Sequence, residues 1–117
     1  MKRDMDIVRQ IVLTLRNSDK SISSIPNIAE DVFIEHAQEI IEAGLAEGKI
    51  HPSGRKQGTD FVTLFRLTWA GQDFADSIIE DTVWNKVKEN ILKPSASWSF
   101  EILIESLKSE LKRRIGL

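Results

Sequence analysis

At 117 residues the chain is the size of one domain and can bury a core unaided; without a single cysteine it has no disulfides or thiolate metal sites to draw on. Its 16 Lys and Arg against 18 Asp and Glu leave a net charge of −2, so nothing global draws it to nucleic acid or to an acidic membrane. No apolar run approaches the ~18 residues of a membrane span, and the opening MKRDMD lacks the apolar stretch of a signal peptide, so a cytoplasmic protein is expected.

The first element spans Asp4 to Arg16, where Met5, Val8, Ile11, Val12 and Leu15 fall at helical spacing and Asp4 and Asp6 favour the positive end of the helix dipole. Asn17 to Ser24, rich in Ser, Asp and Asn, reads as a loop. Asn27-Ile28-Ala29-Glu30 has the form of a capping box, with Asp31 as a competing start. From there a helix runs to Ala43, burying Phe33, Ala37, Ile40 and Ile41, and Gly44 stops it.

Leu45 to His51 is the first strand of a hairpin, Pro52 to Asp60 its tip, and Phe61 to Leu67 the second strand. Simple alternation puts Phe61, Thr63, Phe65 and Leu67 on one face and Val62, Leu64 and Arg66 on the other. Both faces then carry large apolar groups, which predicts a cover on the outer one, from the last helix or from a second chain. Thr68 caps the next helix, whose apolar positions are Phe74, Ile78, Val83, Trp84, Val87 and Ile91. The spacing slips between Ile78 and Val83, so one kinked helix and two separate ones both fit. Pro94 to Ser97 is a stop, and Phe100, Leu103, Ile104, Leu107 and Leu111 mark a terminal amphipathic helix ending near Arg114.

The order helix, helix, strand, strand, helix, helix predicts an α+β fold: a winged helix with added C-terminal helices, one domain over 1–117 with its core in 1–93 and a helical extension in 94–117. The opening MKRDMDIVRQI, the central EAGL, RLTWAGQDF and DTVWNKVK resemble a family of short bacterial and prophage-encoded proteins catalogued as a domain of unknown function. The resemblance runs from Met1 to about Leu107. It implies a small winged-helix protein of phage or mobile-element character and brings no activity or functional residues with it.

A regular helix-turn-helix has a short support helix before its recognition helix. Here that stretch, Lys20 to Pro26, holds no helical repeat, so the support helix is expected to be shortened or absent. The helix that would enter the major groove is also poorly charged for DNA. Asn27 to Gly48 carries Glu30, Asp31, Glu35, Glu39, Glu42 and Glu47 and no Lys or Arg, whereas phosphate contacts need cations. The hairpin differs. Lys49, His51, Arg55, Lys56 and Arg66 are candidate nucleic-acid contacts, against the plainer reading that a loop tip needs solvated charge.

His36 and His51 stand on different elements without a third ligand, so no metal site is expected, and His36 reads as a helix-surface or core-edge residue. Asp73, Asp76, Glu80 and Asp81 read as a solvated acidic face. No nucleophile with its base and no cofactor loop is present, so neither catalysis nor a cofactor nor a small-molecule substrate is inferred. Trp69, Trp84 and Trp98 together offer a base-stacking platform; Trp84 matches the core face, so packing is its default, and Trp98, beside the hinge, is the best candidate for an exposed anchor at a protein interface. Val62, Leu64, Trp98, Phe100, Leu103, Leu107 and Leu111 are the candidate interface residues. Two functions follow: a protein-interaction or regulatory module, self-association included, or a DNA-binding regulator working through its basic wing.

Overall fold

A computed structural model describes residues 3–52, 60–91 and 100–114. The described residues form an α+β structure with five helices and one two-stranded antiparallel sheet, in the order α1 (Met5–Arg16), α2 (Glu30–Glu42), β1 (Ala46–His51), β2 (Phe61–Leu67), α3 (Trp69–Ile78), α4 (Asp81–Ile91) and α5 (Phe100–Arg114). The chain divides into two compact units, residues 1–75 and 76–117. That boundary falls earlier than the 93/94 division read from the sequence, because α4 packs on α5 and so belongs with it.

In the first unit, α1 starts where Asp4 accepts a hydrogen bond from the Asp6 amide at 2.9 Å, and it buries all five residues of its predicted stripe. Between α1 and α2 there is no helix. Ile22 instead forms a bridge with Leu64, giving and taking a main-chain hydrogen bond at 2.9 and 2.8 Å, and Ile25 to Ile28 closes a turn. This turn corrects the expected capping box. Asn27 lies at φ 70° inside it, the helix begins at Glu30, and Ala29, which cannot cap with a side chain, occupies the N-cap. Glu30 and Asp31 in the first turn offset that loss through the helix dipole.

α2 ends as predicted. Gly44 sits at φ 75°, its amide reaches the Ile41 carbonyl at 3.0 Å, and the Leu45 amide reaches the Ile40 carbonyl at 3.1 Å. This paired closure satisfies two carbonyls that the last turn would otherwise leave open.

The hairpin departs from simple alternation. Glu47 pairs with Arg66 and Gly48 with Leu64, so β2 carries one extra residue and its pleat changes phase at Phe65. Val62, Leu64 and Leu67 all turn inward as a result, while Phe61 and Phe65 turn out. The expectation that Leu67 shares a face with Phe65 is corrected by this bulge. α1 and α2 cover the inner face of the hairpin, where Phe33, Ala37, Ile40, Val62 and Leu64 form one core with the α1 stripe.

Thr68 ties the hairpin back to the end of α2. Its amide donates to the Leu45 carbonyl at 2.9 Å, its hydroxyl donates to the Gly44 carbonyl at 2.6 Å, and the same hydroxyl oxygen accepts the Gly71 amide at 3.0 Å, capping α3. The EAGL and LTWAG segments are thus two halves of one joint.

In the second unit the chain breaks at Ile79-Glu80, so α3 and α4 are separate helices. Ile78, Val83, Trp84, Val87, Leu103 and Leu107 are buried. Glu110 is buried beside Lys86 at 3.4 Å and Arg113 at 3.7 Å.

Candidate interaction surface

Two surfaces of the first unit differ sharply in chemistry. The solvent side of α2 exposes Glu30, Asp31, Glu35 and Glu42, with Glu39 partly covered. One oxygen of Glu39, Oε2, is buried without a hydrogen-bond partner. His36, between these acids in sequence, points the other way and is buried. The Asp4 amide donates to its Nε2 at 3.0 Å, so the proton sits on Nδ1, 2.8 Å from the Val32 carbonyl that accepts it. His36 is therefore a core residue tying α1 to α2, a correction to its reading as a surface or core-edge side chain.

The outer face of the hairpin is aromatic and cationic. Directly opposed residues of an antiparallel pair share a face, so Lys49 stands with Thr63 and His51 with Phe61. Nε2 of His51 lies 3.2 Å from the Thr63 hydroxyl, which also meets Ser23 at 3.0 Å. At the other end Glu47 accepts from both Nε and Nη2 of Arg66 at 2.7 Å, an exposed pair worth little to stability. Phe61 is 53% and Phe65 50% exposed, and Trp69, just beyond β2, is 93% exposed. Because α2 packs on the inner face of the same hairpin, this surface and the acidic side of α2 point away from each other.

The candidate residues separate accordingly. Lys49 is exposed, His51 is half-buried, and Arg66 is held by Glu47. Arg55, Lys56 and Trp98 lie outside the described residues, and Phe100 opens α5. Val62 and Leu64 are 1% and 0% exposed, occupied by the chain's own core, which corrects their reading as interface residues. Leu103 and Leu107 are likewise buried against α4, and Leu111 is half-buried.

Sequence reasoning set Phe61 and Phe65 on one face but expected a cover over the outer one, and it did not place Trp69 on the open surface. Trp69 carried a signal: it precedes Phe74 by five positions, out of step with the helical stripe. Phe65 carried one too, since simple alternation sets it with Phe61 away from Val62 and Leu64, and the bulge changes the sides of Arg66 and Leu67 alone. Among the described residues no three His, Asp or Glu side chains gather into a metal-binding set, and no helix is long and apolar enough to cross a membrane.

Over residues 2–97 the sequence matches the family described as "Hypothetical protein (DUF2513)". The chain belongs to that family. A Haemophilus influenzae relative, described as an uncharacterized protein, is 30% identical over 108 residues, covering 88% of this chain and 89% of the relative. No solved structure matches. The family match takes in the whole first unit but for Met1, and with it the joint at Thr68 and both faces of the hairpin.

Proposed function

We propose that this protein is a non-enzymatic winged-helix protein of phage or prophage type, acting as a protein-interaction or regulatory module through the outer face of its hairpin and Trp69. The winged-helix reading rests on the order α1, Ile22 strand, turn, α2, β1, β2, in which Ile22 supplies the third strand beside β2 and the turn stands where a support helix would be. The observation that carries the function is Trp69. A tryptophan 93% exposed at the start of a helix does nothing for the fold, and large aromatics of this kind dominate binding energy at protein interfaces. Phe61 and Phe65, on the strand leading into it, extend the apolar surface.

The experiment is affinity capture with the full chain against host and phage lysates, beside the variants Trp69→Ala and Phe65→Ser. A single protein retained in stoichiometric amount, and lost with either variant, supports the reading. Retention of nothing, or of a protein indifferent to both substitutions, ends it.

A second reading, DNA binding through the wing, is favoured by the position of Lys49 and His51 on the side away from the acids of α2. About four phosphate contacts predict a log–log salt slope of about −3.6. The absence of any mobility shift on duplex or single-stranded DNA at low salt disposes of it.

A further inference from the structure

Among the described residues β1 is the free edge of the sheet. Leu64 uses both its main-chain groups on Ile22, on the side of β2 away from β1. In an antiparallel ladder the N–H and C=O of one residue point the same way and successive residues alternate. Gly48, opposite Leu64, therefore turns its N–H and C=O away from β2, and Ile50 does the same. Glu47 and Lys49 point theirs toward β2. Glu47, Lys49 and Ile50 are all exposed, so solvent reaches this edge. An open edge is a template for another strand, and the Glu47-Gly48-Lys49 triplet is its own charge complement when reversed.

We infer that two copies of this chain pair antiparallel along β1, with Gly48 facing Gly48 of the second copy on a twofold axis. Gly48 then exchanges both main-chain hydrogen bonds with its symmetry mate, and a four-stranded sheet β2-β1-β1-β2 results. Glu47 lies opposite Lys49 of the second copy, and Lys49 opposite its Glu47, with Cβ atoms about 4.5–5.5 Å apart. The Glu47 carboxylate, already bonded to Arg66, thus sits between two cations. Charge selects this register, because the neighbouring one, centred on Lys49, sets two ammonium groups against each other. Ile50, 43% exposed in one copy, comes to lie opposite Ala46 of the other and gains cover. The contact is isologous and closes at two copies. This pairing goes beyond the interaction reading and does not depend on it, since oligomeric state is measured with no partner present.

Sedimentation equilibrium of the full chain over a wide concentration range is the test. A monomer–dimer equilibrium is expected. Lys49→Glu turns two attractive pairs repulsive and weakens it about tenfold, and adding Glu47→Lys together with Arg66→Glu, which keeps an opposite-charge pair inside the hairpin, restores it. Ile50→Pro removes an N–H that β2 does not use, so the dimer is lost while the circular dichroism of the monomer stays native. A chain that is monomeric at every concentration overturns the inference. So does a dimer that Lys49→Glu leaves untouched, and that variant, at an exposed position, does not threaten folding.

Discussion

The main-chain amide of Asp4 donates a hydrogen bond to Nε2 of His36 at 3.0 Å, joining two residues 32 positions apart. Asp4 also caps α1, so the imidazole holds the first turn of α1 against the second turn of α2. His36 is 1% exposed, and solvent does not reach the ring to replace a lost partner.

His36→Phe keeps most of the volume but leaves the Asp4 amide without an acceptor. Asp4 is itself exposed, so solvent takes over part of the lost bond and the expected cost is about 1 kcal/mol. His36→Ala adds a cavity and costs more. Urea unfolding measures both. Independently, nitrogen chemical shifts of the His36 ring should report a neutral Nδ1–H tautomer; the opposite tautomer contradicts the assigned bonds.

Gly44 and Gly71 make a contrasting pair. A Cβ on Gly71 would be driven into the Leu45 carbonyl, so α3 can approach the start of β1 only with glycine there. Gly71→Ala is expected to cost about 3 kcal/mol or more, in the range of other severe backbone clashes. A Cβ on Gly44 meets nothing within 4 Å, so the cost of Gly44→Ala is that of its left-handed φ alone, about 1–2 kcal/mol. Thr68→Ala, losing the cap, is expected to cost about 1 kcal/mol, with Thr68→Ser largely neutral. Equal effects at the two glycines on chemical denaturation would contradict the close approach.

Local signals account for what is legible in the sequence. The α1 stripe, the Gly44 stop and the Thr68 cap are each written within a few residues, and the structure has them where the spacing puts them. Asn27 fits a capping box equally well by sequence, but the turn from Ile25 to Ile28 rotates it out of register with the helix. His36 gives a divided signal. It falls three residues after Phe33 and four before Ile40, on the buried side, yet its polarity argues for the surface because its partner Asp4 is remote in sequence. The end of β2 is the part that is not legible. Alternation holds from Phe61 to Phe65, one unopposed residue then exchanges the sides of Arg66 and Leu67, and the glycine at that spot, Gly48, stands on β1.

Trp69 should behave as a solvent-exposed tryptophan, in contrast to Trp84, which is 1% accessible. Trp69→Phe is expected to remove a red-shifted, readily quenched part of the native fluorescence and to change stability by less than about 0.5 kcal/mol. Acrylamide quenching of the native protein and of the variant makes the comparison. If the substitution leaves quenching unchanged, the side chain is covered and its role as a binding anchor fails with it.

Leu64 and Phe65 are neighbours with opposite fates, and together they test the face assignment on which the proposed surface depends. Leu64 is fully buried between the hairpin and the two helices, so Leu64→Ala is expected to cost about 2–5 kcal/mol, transfer and cavity combined. Phe65, half exposed, loses only part of the transfer free energy of its ring in Phe65→Ala, about 1 kcal/mol or less. A strand without the bulge would leave Leu64 inward but carry Phe65 and Leu67 outward together, and Leu67→Ala would then be as mild as Phe65→Ala. With the bulge, Leu67 is buried, and Leu67→Ala should resemble Leu64→Ala instead. The three variants, unfolded in urea under the same conditions, therefore read out the change of phase directly. A mild Leu67→Ala would return Leu67 to the face of Phe61 and Phe65, turn Arg66 inward, and remove the bulge with the Glu47–Arg66 pairing it sets up.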